Sequence, residues 1–123
     1  MFRWITHLAA TTALLLPCAS VAQAFMGNCL LEVDHQVYLD GPCNIEMEGE
    51  GSFTIGVGEA EGSKYFAYVN LDSDASGVAV GYWNGAQAES HAHEELGNLF
   101  RHGGCWINDR AKVRAWRFGT RPR

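Results

Sequence analysis

Residues 65–85 read YFAYVNLDSDASGVAVGYWNG, two short apolar runs separated by a polar segment and followed by a turn signal. Residues 65–71 and 78–83 are rich in the aromatic and branched side chains that favour strands. Residues 72–77 predict a loop, and Asn84-Gly85 is a strong hairpin signal. This stretch therefore indicates a fold built from short antiparallel strands.

Comparable short runs lie on both sides of this stretch, each bounded by turn residues. They cover residues 30–33, 36–39, 44–48, 52–57, 105–107 and 113–118. The predicted turns between them are Asp34-His35, Asp40-Gly41-Pro42 and Asn108-Asp109. About eight short strands at such close spacing predict an all-β fold, either a small antiparallel barrel or a compact sandwich. A barrel would also leave no exposed strand edge.

Residues 91–100 do not follow this pattern. Leu96, Leu99 and Phe100 have helical spacing, but Gly97 and the short length argue against a stable helix. We expect a loop here, with at most one helical turn.

The N-terminal segment predicts export. Residues 1–7 carry one positive charge, residues 8–16 are largely apolar, and Ala22-Gln23-Ala24 places small residues where signal peptidase cleaves. Residues 1–24 are therefore interpreted as a secretory signal peptide, cleaved before Phe25. The apolar run is shorter than the roughly 20 residues that span a bilayer. We expect a soluble periplasmic or secreted protein with no membrane span.

Residues 25–123 then form one small domain that contains three cysteines. Small domains bury a limited share of their surface, and export makes a disulfide the default expectation. Cys29 and Cys43 would close a short loop, which contributes roughly 3 kcal/mol. Other pairings through Cys105 stay open on the sequence alone. If Cys29 pairs with Cys43, Cys105 is an unpaired thiol, either buried or available to link two chains as a dimer.

Charge is unevenly distributed along the chain. Residues 25–100 contain 13 acidic residues and one basic residue, Lys64, whereas residues 101–123 contain seven basic residues and one acidic residue, Asp109. The two parts could meet as ordinary surface ion pairs, or an acidic body could attract a cationic partner. The basic residues are dispersed and the domain as a whole is acidic, so the pattern does not indicate nucleic-acid binding.

Three histidines suggest a second hypothesis. His91 and His93 would point to the same side of an extended segment, as two ligands of zinc or copper would, and His102 could complete the set. The alternative function is therefore a periplasmic metal-binding or structural envelope module built around these residues. The simpler interpretation is that histidines in an acidic segment are solvated.

No pattern in the sequence predicts catalysis. Cys105 lies near Arg101 and His102, which could activate a thiolate, but the spacing suggests no third orienting residue. The chain has no serine nucleophile elbow, no glycine-rich phosphate loop and no Cys-x-x-Cys motif. We therefore expect neither an enzyme nor a bound cofactor.

Two short motifs carry a family resemblance. Glu61-Gly62-Ser63-Lys64-Tyr65 precedes one predicted strand, and Gly81-Tyr82-Trp83-Asn84-Gly85 ends the next. With the export signal and the paired cysteines, they resemble the bacterial periplasmic and membrane-bound inhibitors of c-type lysozyme. That family carries a Ser-Gly-x-Lys/Arg-Tyr-like loop and a later strand with tryptophan followed by Lys-Gly. Here Glu61 replaces the serine of the first motif, and Asn84 replaces the lysine of the second.

The resemblance implies a small flattened β-barrel whose contact segment comprises Gly62, Ser63, Lys64 and Tyr65. C-type lysozymes are cationic and have two carboxylates in their cleft, so an acidic body would speed the encounter. Lys64 would then reach a cleft carboxylate, with Ser63 as a hydroxyl donor. The simpler interpretation of Lys64 is a solvated side chain, or an ion pair with Glu59 or Glu61.

The last predicted strand resembles the final strand of similar exported proteins in which a cysteine takes the place of Arg114. The resemblance implies that this cysteine pairs with Cys105 across the terminal hairpin, and that this chain has a charge in place of a second disulfide. Arg114 shares one face of the strand with Trp116. We therefore expect its guanidinium to stack on an aromatic ring.

Overall fold

Eight antiparallel strands form a closed barrel in which each strand pairs with the next in sequence and the last pairs with the first. The computed structural model describes residues 23–57, 64–71 and 77–120. The strands are β1 (Gln23–Val33), β2 (Gln36–Met47), β3 (Phe53–Ile55), β4 (Ala67–Leu71), β5 (Val78–Trp83), β6 (Glu94–His102), β7 (Cys105–Ile107) and β8 (Ala111–Arg117). The all-β prediction is confirmed, and the barrel is the correct one of the two predicted architectures.

The barrel interior is filled by apolar side chains that alternate with outward-facing ones. On β1, Cys29, Leu31 and Val33 are buried, and the residues between them are partly exposed. A sheet closed around one core requires this period of two. The other strands contribute fully buried side chains, including Ile45, Ile55, Val69, Trp83, Leu96, Leu99 and Val113. Each is worth ~1.5–3 kcal/mol relative to exposure, so this core is the main source of stability.

Cys29 and Cys43 form a disulfide between β1 and β2, as predicted. Both cysteines are fully buried and belong to the core cluster, so the bond lies inside the barrel wall. Cys105 is a free cysteine and is also buried. A dimer linked through Cys105 would therefore require β7 to open first.

The β1–β2 hairpin is the longest element of the barrel. Asp34 and His35 connect the two strands with φ of 51° and 66°, the left-handed geometry that two-residue hairpin turns favour. The predicted turn at Asp40-Gly41-Pro42 is wrong, because β2 continues through it and Pro42 lies opposite Asn28. Gly41 has a φ of 134°, which a residue with a side chain rarely adopts, and this lets the strand continue.

β1 begins at Gln23, two residues before the predicted cleavage point, and Phe25 lies opposite Ile45. Residues 1–22 of the predicted signal peptide lie outside the described residues. Within the described ranges, no helix has the length and apolar character needed to cross a bilayer.

The predicted loop at residues 91–100 is wrong over most of its length, because residues 94–102 form β6. The pairing of β5 with β6 shifts register at Gly81/Tyr82, and Gly97 has a φ of 85°. This bulge changes the alternation, so that Leu96 and Leu99 both face the core three residues apart. The three-residue spacing of these two leucines therefore resembles helical spacing, although the segment is a strand.

The connections of the barrel lie at two opposite ends. The Lys64 end carries the ends of β1, β3, β5 and β7, with the described connecting residues 34–35, 56–57, 64–66, 84–93 and 108–110. The terminal end carries the start of β1 and the ends of β2, β4, β6 and β8. Lys64 and Tyr65 therefore lie at the same end as His91 and His93, and Cys105 and His102 lie at the other.

Candidate binding site at the Lys64 end

Lys64 and Tyr65 lead into β4 at the Lys64 end. The Lys64 side chain is exposed, and its Nζ lies 5.5 Å from the centroid of the Tyr65 ring, within range of a cation–π contact. Gly62 and Ser63, the other two predicted contact residues, lie outside the described residues. The described half of the predicted contact segment thus presents a cation beside an aromatic ring.

Asn84 fixes the backbone of this segment. The residue is only 2% exposed, and its Oδ1 accepts a hydrogen bond from the Phe66 backbone N–H at 3.0 Å. Its Nδ2 donates to the carbonyl oxygens of Lys64 and Glu89, each at 3.1 Å. The backbone of Lys64 is therefore tied to the connection after β5, while its side chain is left exposed.

Three aromatic rings pack against one another next to Lys64. Tyr38 lies between the other two, with centroid distances of 4.9 Å to Tyr65 and 4.7 Å to Trp83. These distances are typical of favourable aromatic pairs. The Tyr65 hydroxyl also donates to the carbonyl of Ala86 at 3.0 Å. The rings close the core at this end and give Lys64 a rigid base.

The surroundings of Lys64 are acidic. The described connections of this end contain two basic residues, Lys64 and Arg110, and three acidic residues, Asp34, Glu89 and Asp109. The adjoining strand ends add three acidic residues, Glu32, Glu94 and Glu95, and one basic residue, Lys112. Within the described part of the chain, Lys64 forms no ion pair. The predicted alternative partners Glu59 and Glu61 lie outside the described residues. The described residues around Lys64 are therefore acidic on balance.

Arg110 joins three connections of this end. Its guanidinium contacts the carboxylates of Asp34 at 3.1 Å and Glu94 at 3.2 Å, and donates to the Glu95 carbonyl at 3.3 Å. The hydrogen bond to Asp34 is the main reason that the pKa of Arg110 is raised. Arg110 thus holds the β1–β2 turn, the β7–β8 turn and the start of β6 together.

The three histidines of the metal-binding hypothesis are not brought together. The rings of His91 and His93 contact each other, with centroids 5.2 Å apart. His102 lies at the far end of β6, nine residues from His93, which corresponds to roughly 30 Å of strand. Among the described residues, no three metal-ligating side chains form a cluster. The described structure therefore does not bring the three histidines together.

Arg114 and Cys105 are neighbours, as the resemblance implies. The Arg114 Nε donates to the Cys105 Sγ at 2.9 Å, and the Arg114 guanidinium lies 5.6 Å from the Trp116 ring centroid. The predicted stacking is thus confirmed. The thiol is covered by a guanidinium and held at the base of the β7–β8 hairpin, so no accessible nucleophile forms there.

No protein-family model matches the chain, and comparisons with curated proteins and with solved structures return no significant match.

Two residues of the site escape prediction from sequence. Asn84 has the sequence of a hairpin turn, but it serves as a buried hydrogen-bonding side chain. Arg110 follows a predicted turn and gives no indication that it joins three connections. Both roles depend on residues far away in the sequence, and the only local signal is Asn84 at the end of an apolar strand, where a buried polar side chain needs partners.

Proposed function

We propose that this protein is an exported inhibitor of c-type lysozyme that binds the enzyme cleft through the segment Gly62, Ser63, Lys64 and Tyr65. The observation that carries the proposal is the exposed Lys64 on a rigid, acidic end of the barrel. Asn84 and the aromatic rings hold Lys64 and Tyr65, the described part of this segment, in place before any partner arrives. Such preorganisation lowers the entropy lost on binding.

Charge supports the choice of partner. A cationic enzyme is drawn towards the acidic Lys64 end, which raises the rate of encounter. In the complex, the acidic rim faces the basic surface of the enzyme, and Lys64 meets the carboxylates of the cleft. A cation on an otherwise acidic surface matches a cleft that is acidic within a basic protein. The protein needs no chemical step of its own, since occupation of the cleft excludes the substrate.

The test is an inhibition assay with a c-type lysozyme acting on a bacterial cell-wall suspension at low ionic strength. The wild-type protein should inhibit at micromolar concentration or below. Lys64→Ala should weaken inhibition by about 30-fold or more, since loss of one partner from a buried charge pair costs at least about 2 kcal/mol. Absence of inhibition by the wild-type protein would contradict the proposed function.

Lys112→Ala is the matched control. Lys112 is the other lysine of the described barrel, and its Nζ lies 3.8 Å from a carboxylate oxygen of Glu32 on the barrel wall. An exposed pair of this kind contributes up to ~1 kcal/mol to stability. Inhibition by Lys112→Ala should equal that of the wild-type protein, and an equal loss in both variants would exclude a specific role for Lys64.

A further inference from the structure

A small apolar pocket opens at the terminal end, opposite the proposed inhibitory site. It has a volume of about 200 Å³. Its walls are formed by side chains from several strands and by two glycines: Met47, Phe53, Leu71, Trp106, Ala115, Gly51 and Gly104, with Arg101 at its edge. Phe53 and Trp106 are nearly fully buried and form part of the barrel core. The pocket is therefore a recess in the end of the core.

Arg101 lines this recess, Arg117 lies at the same end of the barrel, and each lies over an aromatic ring. The Arg101 guanidinium is 5.8 Å from the ring centroid of Trp106, and the Arg117 guanidinium is 4.2 Å from that of Phe25. Arg117 follows Ala115 by two residues on β8, so the two share a face of the strand. Among the described residues neither arginine forms an ion pair. Both therefore keep a positive charge that is not neutralised within the described barrel.

Two described acidic residues near this end, Glu48 and Glu50, form no ion pair with either arginine. Glu48 accepts a hydrogen bond from the Tyr68 hydroxyl at 3.3 Å, and burial together with Glu48 raises the pKa of Tyr68. Glu50 lies in the 3₁₀ turn (Gly49–Gly51) between β2 and β3. Neither residue lines the pocket, whereas Arg101 does. The recess thus combines an apolar floor with a cationic rim.

We propose that this recess binds a small amphiphilic anion: a carboxylate carried on an apolar chain of about six to eight carbons. The apolar walls would bury the chain, and Arg101 and Arg117 would bind the carboxylate, for which the guanidinium fork is well suited. A cavity of about 150 Å³ holds a benzene ring, so this recess accepts a ligand of similar or slightly larger size. The site is independent of the proposed inhibition, because it lies at the other end of the barrel.

The experiment is a titration of the ¹⁵N-labelled exported protein with octanoate, observed through the tryptophan indole N–H signals. The Trp106 signal should shift in a saturable manner, because this side chain lines the recess. Octyltrimethylammonium, with the same chain and the opposite charge, should bind at least tenfold more weakly. Equal binding of the two ligands, or no saturable shift with millimolar octanoate, would overturn the proposal. This comparison uses the unaltered protein and does not depend on any variant folding.

A double variant, Arg101→Gln/Arg117→Gln, tests the rim directly. Its affinity for octanoate should fall by tenfold or more. Arg114→Gln is the matched control, because Arg114 also stacks on an aromatic ring but lies on the opposite face of β8 from Ala115, which lines the recess, and its octanoate affinity should be unchanged. Unchanged affinity in the double variant would overturn the assignment of the carboxylate to these arginines. Inhibition of lysozyme should be equal in all three proteins, so the two proposals can fail separately.

Discussion

At the scale of single residues, the Lys64 end depends on one buried amide. The Asn84 side chain accepts a hydrogen bond from one backbone N–H and donates to two backbone carbonyls. The N–H and one carbonyl lie just before β4, and the other carbonyl lies after β5. A polar side chain at 2% exposure is favourable only because all of these bonds are made. The same bonds link the stability of the barrel to the position of Lys64.

Asn84→Ala should therefore destabilise the protein by about 2–3 kcal/mol, because it leaves buried backbone groups without partners. Urea denaturation measures this change. Asn98→Ala is the control, since Asn98 is exposed on β6 and its removal should cost less than ~0.5 kcal/mol. At temperatures where Asn84→Ala remains folded, its inhibition should also be weaker than that of wild-type protein. Full stability of Asn84→Ala would show that the amide network does not hold this segment.

The contacts of the basic residues were only partly predictable from the sequence. The uneven charge along the chain left open whether the basic residues pair with acids or whether the acids stay free. The structure gives a mixed answer: Arg110 and Lys112 form ion pairs, whereas Arg101, Arg114 and Arg117 lie over aromatic rings. Only Arg114 was predictable, because its ring partner lies two residues away on the same strand face.

At the scale of elements, the geometry of the β7–β8 hairpin can be tested by adding a disulfide across it. Arg114 lies next to Cys105 across the hairpin, with a contact of 2.9 Å between Nε and Sγ. Arg114→Cys should form a disulfide with Cys105 and stabilise the oxidised protein by about 2–3 kcal/mol, as expected for a loop of this length. The denaturant midpoint with and without reductant measures the effect.

Arg114→Ser is the control for that experiment, since it removes the same guanidinium without adding a thiol. Its stability should be insensitive to reductant beyond the effect of the Cys29–Cys43 disulfide, which all variants share. A lower midpoint for oxidised Arg114→Cys than for Arg114→Ser would show that the hairpin geometry does not accept the bond.

Strands with a simple alternation were predictable, and those with irregularities were not. β5 alternates between buried and partly exposed side chains along its whole length, and its bounds, Val78–Trp83, follow from the sequence. β8 alternates over its first three residues and lies close to its predicted position, whereas only residues 30–33 of β1 were predicted. β6 was missed because the bulge at Gly97 places two consecutive core leucines three residues apart. The Asp40-Gly41-Pro42 turn was predicted wrongly for a related reason: glycine and proline indicate a turn locally, but pairing with β1 keeps the segment extended.

At the scale of the whole molecule, the two ends of the barrel carry different sets of charged residues. The Lys64 end has more acidic than basic residues among those described, whereas the terminal end carries Arg101 and Arg117 together with Glu48 and Glu50. The two proposed sites lie at opposite ends, and an arginine lines the recess of the second one. A cationic protein should approach one end and a small anion the other.

Electrostatic attraction of lysozyme to the acidic end predicts that salt changes mainly the association rate. Between about 10 mM and 500 mM salt, association with lysozyme should slow by about tenfold or more, while dissociation changes much less. Surface plasmon resonance over that range separates the two rates. An association rate that does not depend on salt would contradict the steering role of the acidic end.

The pairing of β8 with β1 has a consequence for the order of events during synthesis. Every other pairing joins strands that are neighbours in sequence and can form as soon as two strands are present. The pairing of β1 with β8 brings Gly27 opposite Arg117, and so it cannot form before the last strand has been synthesised. Until that moment, the nascent protein exposes two strand edges, the form most prone to aggregate. A chain that lacks β8 would keep those edges permanently, so the final strand is required to close the barrel.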